Sequence, residues 1–345
     1  MHIEVDDPDG DWTRDGVFEV DPGVYRIPLP LPHDGLRAVN VYVLATDDGL
    51  VLVDSGWGRD VDRDALVKAV ATLDRDLTDV HRILVTHVHR DHYGMSVALR
   101  REYGLTISLG LGERPAIELL NRPGHIPFTE HISALVRCGA DDIVTWLRSR
   151  TGEPLHDPAD WSPPDDWLTD DHPVVLTDRT LRVVATPGHT QGHVVFVDEA
   201  ANLIFAGDHV LPHITPSVGF EAIPVELALG DYLASLRLVR AMPDRRLLPA
   251  HGPVRPSVHR RIDDLLDHHS RRLDESLAAV GTKERTAFEA ANILPWTRRR
   301  KAFGDLDRFN QMLAVAETAA HLDLLVAQGR LTAIETEGVR WYRAP

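Results

Sequence analysis

"THVHRDHYG", Thr86–Gly94, places three histidines and an aspartate within six positions, His87 to His92. A hydrophobic core would be destabilised by that crowding of titratable side chains, and a solvated turn has no use for it. The flanks show what kind of turn it is. "HRILV", His81–Val85, is an apolar, β-branched run that reads as a buried strand. "YGMSVALRREYG", Tyr93–Gly104, follows with helical spacing and ends in glycine. The cluster therefore occupies a strand-to-helix turn at the carboxyl end of a sheet strand, where open α/β sheets place their ligands.

His87 and His89, two residues apart, face the same way on extended backbone. Asp91 and His92 come where the chain turns into the helix. One metal ion could take His87 and His89 while a second takes Asp91 and His92. Neither set is complete, because a catalytic zinc wants about three protein ligands and a water. Three more turns supply candidates: "TPGHTQGH" offers His189 after "LRVVA", "FAGDHV" offers Asp208 after "NLIF", and "PAHG" offers His251 after "RLL". Each lies just past a strand end, so all can converge on one rim of the fold.

In that order, "VDSG" (Val53–Gly56), "HVHRDH" (His87–His92), "GHT" (Gly188–Thr190), "GDH" (Gly207–His209) and "AHG" (Ala250–Gly252) resemble the successive motifs of the metallo-β-lactamase superfamily. The resemblance spans roughly residues 20 to 255. It implies an α+β fold, a four-layer αββα sandwich with a dinuclear metal site between the two sheets. Carried onto these positions, His87, His89 and His189 hold the first metal. Asp91, His92 and His251 hold the second, Asp208 bridges both, and Asp54 orients the ligands from behind. Asp91 and Asp208 become the catalytic carboxylates, and an intact Asp91 points to hydrolase members rather than the redox di-iron branch. His193 and His209 are expected beside the site rather than in the ligand set. Surface or core roles are the expectation for His125, His131 and His213.

Two such ions about 3.5–4 Å apart hold a bridging water and lower its pKa towards neutrality, giving a hydroxide that attacks an electrophilic carbonyl or phosphorus. Zinc is the expected metal, with iron or manganese as alternatives set by supply and geometry. No "GxSxG" elbow is present, and Cys138 is the single cysteine, without a motif around it. Covalent catalysis, an internal disulfide and a cysteine-rich metal cluster are thereby excluded.

The chain has 345 residues, 43% of them apolar, enough for one large domain and a smaller one. Its start, "MHIEVDDPDGDW", is acidic, unlike a signal peptide, and no run approaches the roughly 18 apolar residues of a membrane span. A cytoplasmic protein with no membrane partner is expected. Net charge is −16, divided as −17 up to residue 259 and +1 from Arg260 onward. That contrast suggests a catalytic domain at 1–258, with a helical insertion at 113–172 lining the pocket, and a second domain at 259–345. Three helical stretches followed by "LTAIETEGVRWYRA" as a two-stranded ribbon give the second the layout of a winged helix. Its helix at roughly 309–328 has no Lys or Arg, so nucleic acid is not an expected partner. "RRRK", Arg298–Lys301, reads as a solvated face, or as a contact for the phosphates of a coenzyme A tail.

Within the superfamily the layout is similar to the glyoxalase II-like and thioesterase/endoribonuclease-like branch, whose C-terminal appendage covers the site or joins subunits, making a homodimer a candidate assembly. Substrate specificity has to come from the site, since this scaffold hosts many chemistries. Trp146, Trp161, Trp167 and Phe128 in the insertion favour a small-molecule substrate with an apolar acyl group, a thioester of acyl-CoA type or related ester. A single-strand-specific endoribonuclease and a lactonase or β-lactamase are the alternatives. A non-catalytic metal-binding or interaction protein is the reading outside enzymes, disfavoured by the complete ligand set.

Overall fold

A computed structural model describes residues 2–32, 35–126, 128–149 and 157–345. The first sheet takes β1 (Ile3–Val5), β2 (Val17–Asp21), β3 (Val24–Pro30), β4 (Ala38–Thr46), β5 (Gly49–Val53), β6 (Val80–Val85), β7 (Thr106–Gly110) and β8 (Asp166–Leu168) in simple sequence order. β2 to β5 form an antiparallel meander, and β5 to β8 run parallel. The second sheet has the order β13-β12-β11-β10-β9, from β9 (Pro173–Val175), β10 (Thr180–Ala185), β11 (Val194–Asp198), β12 (Leu203–Gly207) and β13 (Arg246–Pro249).

Alternation along the strands explains why the two sheets stack. On β4, Tyr42 and Leu44 face Phe196, Phe205 and Leu248 of the second sheet. The intervening Val39, Val41 and Val43 face outward, against α1 (Asp60–Ala71) and α3 (Ser96–Tyr103). The second sheet repeats the pattern: Val194 and Phe196 point inward, Val195 and Val197 outward. Strands buried on both faces carry no polar alternation, which is why these runs read as continuous apolar stretches in the sequence. The result is four layers, helix–sheet–sheet–helix.

Between β6 and β8 lie α2 (Arg90–Tyr93), α4 (Arg114–Leu120), α5 (Thr129–Arg137) and α6 (Asp141–Arg148). The 113–172 segment is thus helical at first, but it returns as β8 to extend the first sheet beside β7, so its last part belongs to the sandwich rather than to an insertion. The outer layer on the second sheet holds α5, α6, α7 (Ala228–Ala241), α8 (Val258–Val280), α9 (Ala287–Ile293) and α10 (Arg308–Ala327). α10 begins at Arg308, one residue before the stretch without basic residues. β14 (Arg285–Thr286), β16 (Val339–Arg343) and β15 (Thr332–Thr336) form a third sheet in that order. One continuous apolar cluster contains Leu135, Val195, Leu236, Ile262, Val315 and Tyr342, so residues on both sides of position 258 share a core. α10 packs against α5, α6, α7, α8 and α9 and joins the C-terminal segment to the sandwich.

The turn after β10 approaches the end of β7 so closely that only glycine fits. A Cβ on Gly192 would collide with the backbone nitrogen and side chain of Glu113. Gly192→Ala is therefore expected to cost about 1–3 kcal/mol or more, read as a lower urea midpoint at unchanged slope.

Candidate metal centre

Five turns at the carboxyl ends of β5, β6, β10, β12 and β13 carry every residue of the site. Asp54, immediately after β5, adopts a left-handed backbone with φ 63°, unusual for a side chain other than glycine. That turn aims its carboxylate at the neighbouring loop. Thr86 donates to it from its backbone N–H at 2.8 Å, and its hydroxyl lies 3.0 Å from Oδ2. The Nδ1 of His92 lies 2.8 Å from the same carboxylate. Asp54 therefore fixes the start of the histidine turn and sets which nitrogen of His92 faces inward.

The same logic orients the other rings. His189 Nδ1 donates to the Ser217 carbonyl at 2.8 Å, and His251 Nδ1 donates to the Ala38 carbonyl at 2.7 Å. Their Nε2 atoms are left to point at the centre. His87 Nε2 and His189 Nε2 each stand 3.0–3.1 Å from His89 Nδ1, three ring nitrogens converging on one point. Asp91 Oδ2 lies 3.3 Å from His251 Nε2 and 3.6 Å from His92 Nε2. Asp208 divides its oxygens: Oδ1 is 3.2 Å from His251 Nε2 and 3.7 Å from His92 Nε2, while Oδ2 is 3.5 Å from His189 Nε2. His87–His89–His189, Asp91–His92–His251 and His87–His92–Asp208 each hold their donor atoms within 4.8 Å of one another.

This donor set fits a pair of cations. His92 Nε2, His251 Nε2 and Asp208 Oδ1 are buried without a hydrogen-bond partner, a costly condition that a metal ion resolves. Burial, reinforced by the neighbouring rings, holds His87 well below the usual histidine pKa, and burial likewise takes His89 to about 3 and His189 to about 4, so all three are neutral nitrogen donors. His92 and His251 go the other way. Burial lowers them, but the carboxylates of Asp91, Asp54 and Asp208 outweigh it at His92, to about 10, and those of Asp208 and Asp91 do so at His251. In the metal-free protein, protons on these two rings stand where a divalent ion would balance the acids.

His193 and His209 lie beside this set. His193 stacks on His87 with ring centroids 5.0 Å apart, meets Thr186 Oγ1 through Nδ1 at 2.9 Å, and accepts from the Asp208 backbone N–H through Nε2 at 3.1 Å. With both nitrogens used, it positions Asp208. His209 is fully buried and packs edge-on against Tyr232, whose hydroxyl donates to the His209 carbonyl at 3.0 Å.

A cleft of about 250 Å³ opens beside His89. Of the four aromatic residues expected there, only Trp161 lines it. Trp146 and Phe128 pack against the helical core instead, and Trp167 against the core of the first sheet, because each belongs to an element whose apolar side turns inward. Its other walls include Glu113 and His131, from the 113–172 segment expected to line the pocket though neither was given a role there, and Phe220 and Glu221, from a stretch to which the sequence reading assigned no site role. Glu113 accepts from the Thr190 hydroxyl and the Val88 N–H, tying two ligand loops together. Its position after β7 was the one signal that could have found it. Arg298–Lys301 forms an exposed turn away from these walls, with Trp296 and Lys301 bridged.

A fold of two stacked sheets with histidine and aspartate turns at one rim defines a metal-dependent hydrolase scaffold. The chain belongs to the metallo-beta-lactamase superfamily, whose family model matches residues 34–251. It is 25% identical over 329 residues to the probable metallo-hydrolase YqjP of Bacillus subtilis, covering 89% of this chain and 92% of that protein. Over a shorter stretch of 116 residues, 33% of this chain and 35% of the relative, it is 38% identical to the atrochrysone carboxyl ACP thioesterase AacuM of Aspergillus aculeatus. A crystal structure of a metallo-beta-lactamase family protein from Thermus thermophilus superposes with a TM-score of 0.77 at 29% identity, covering 95% of this chain and 100% of that one. Among the described residues no helix is long and apolar enough to cross a membrane.

Two measurements probe this geometry. Asp54→Ala should weaken metal affinity about 10–100-fold, read by competition with a chromophoric chelator, since the His92 ring loses its anchor. In metal-free protein, His87, His89, His189, His193 and His209 at the site, together with His131, His213, His268, His269 and His321, have folded pKa values below the usual 6.5. The unfolded chain then takes up protons first, so stability falls as pH drops from about 6.5 towards 3–4. His92 and His251, raised, contribute stability below 6.5 that is lost as pH climbs, for His92 through about 10. Melting temperature against pH should therefore peak near neutrality, with the steeper loss on the acid side.

Proposed function

We propose that this protein is a dinuclear metal-dependent hydrolase acting on a thioester, of acyl-CoA or related type, or on a similar carboxylic ester. The observation that carries the two-metal reading is Asp208, whose two oxygens divide between His189 on one side and His92 with His251 on the other. His87, His89 and His189 would hold one ion, Asp91, His92 and His251 the other, and Asp208 both. Such a pair supplies an activated water and a Lewis acid for the oxyanion that develops.

The chain's own residues do the rest. Asp54, Ser217 and Ala38 fix the ring orientations, so little reorganisation accompanies reaction. His193 holds the backbone of Asp208 in place. Asp91 would hold the second ion through the oxygen that faces His251 and His92. Val88, Pro115, Ala116, Leu120 and Trp161 exclude water from the bound acyl group.

Support for the thioester comes from this apolar lining and from the likeness to AacuM, itself a thioesterase by name. The −17 balance of residues 1–259 works against a polyanionic RNA. Purified protein should contain about two metal ions per chain and release free thiol from an acyl-CoA panel. Asp208→Asn should lower that turnover by at least about 100-fold with circular dichroism unchanged. Two metals with no thiol release would overturn the thioester and turn attention to lactones and RNA, and absence of metal would overturn the site.

A further inference from the structure

A second cavity of about 420 Å³ lies behind the cleft at the metal centre, between α5, the loop at 219–226, α10 and β16. His131, Phe220 and Glu221 line both spaces, and the touching rings of His131 and Phe220, 4.4 Å between centroids, stand between the two. Beyond them the α10 wall is small and apolar: Met312, Ala316, Ala319 and Ala320. From Met312 to Ala320 that wall runs about 12 Å along the helix. Cys138 adds a thiol that burial pushes up to about 12, hence neutral.

The polar groups at the outer end of this cavity are paired, whereas at the junction His131 Nδ1 and Glu221 Oε1 are buried without a hydrogen-bond partner. At its outer end Asp323 accepts from the Tyr342 hydroxyl at 2.8 Å and pairs with Arg340 at 3.0 Å, and Arg137 pairs with Glu335 at 3.3 Å. At the junction, burial and then the neighbouring Glu113 push the Glu221 carboxyl up to about 8, and burial takes His131 down to about 4, so both are largely uncharged at neutral pH. A junction of little charge between a hydrolytic site and the alanine wall of α10 suits an aliphatic chain.

We propose that the substrate carries an extended aliphatic acyl chain, which crosses over the touching rings of His131 and Phe220 and lies against the alanine face of α10. This rests on the hydrolase reading above and specifies its substrate class: medium- to long-chain acyl thioesters or esters. It also gives the C-terminal segment a direct part in specificity, because α10 and β16 supply one wall of the chain's binding site.

Butyryl, octanoyl, dodecanoyl and palmitoyl thioesters of one common thiol test the idea. Each methylene that leaves water contributes roughly fourfold. kcat/KM should therefore rise at least about 100-fold from butyryl to dodecanoyl. Ala316→Phe, which fills the cavity, should lower the dodecanoyl-to-butyryl ratio at least about tenfold. If that variant fails to fold, Ala319→Leu should shift the ratio the same way. Binding of a fluorescent long-chain fatty acid to metal-free protein gives a readout independent of turnover, and the same substitutions should weaken it about tenfold or more. A wild-type protein indifferent to chain length, or folded variants with the ratio and probe binding unchanged, would overturn the acyl-chain site. Probe binding sensitive to Ala316→Phe without hydrolysis of any thioester would keep that site and remove the thioesterase reading instead.

Discussion

Asp91 and Asp208 are held in a nearly closed rim of the protein, and their negative charge has to be met where it stands. Buried carboxylates persist only when paired and hydrogen-bonded, because desolvation is otherwise prohibitive. Here the compensation is built from five imidazoles whose free nitrogens face the same small volume. Four of the rings, His87, His92, His189 and His251, are anchored from behind by a hydroxyl, a carboxylate or a backbone carbonyl, so their inward nitrogen is chosen by the scaffold. The site cannot relax away from its unmet charge, and this rigidity is what makes it a cation site.

That rigidity depends on the sandwich. The ligand turns belong to strands of two different sheets, and the sheets are held in register by the apolar layer between them, where Tyr42 meets Phe205 at 5.4 Å between ring centres. Small perturbations of that stack would be transmitted to the metal ligands, since close-packed interiors pass strain on rather than absorb it. Gly192 shows how tight the fit is, with two backbones touching where any side chain would force them apart. Outside the second sheet, α10 packs against five other helices and also borders the cavity behind the cleft. A segment that reads as an appendage is therefore part of the common core and borders the binding space.

How much of this was legible followed from the range of the interactions. His87 to His92, His189, Asp208 and His251 all sit in short turns after apolar runs, so strand pattern and turn chemistry were enough to place them on one rim, while Asp54 was placed there by the family resemblance. The helices of the C-terminal segment, long runs closed by glycine or the next turn, were equally readable. The cleft was not. Trp146 and Trp167 looked like pocket residues by type but turn into cores, while Phe220 and Glu221 line the pocket from a segment with no local signal. β8 was hidden for a similar reason, being three residues long and stabilised only by pairing with β7.

The sequence by itself determined the chemistry of the centre, because metal-binding side chains at the ends of apolar strands are a local pattern that survives without any knowledge of partners. It determined the layered class as well, since runs apolar on both faces must be covered on both faces. Only the tertiary structure decided which nitrogen of each histidine faces inward, how Asp208 divides its oxygens, and what surrounds the space beside the candidate metal centre. Those outcomes depend on contacts between residues tens to hundreds of positions apart, such as His251 with the Ala38 carbonyl or Phe220 with His131. Pairings of that kind are set by packing, and no local pattern in the chain encodes them.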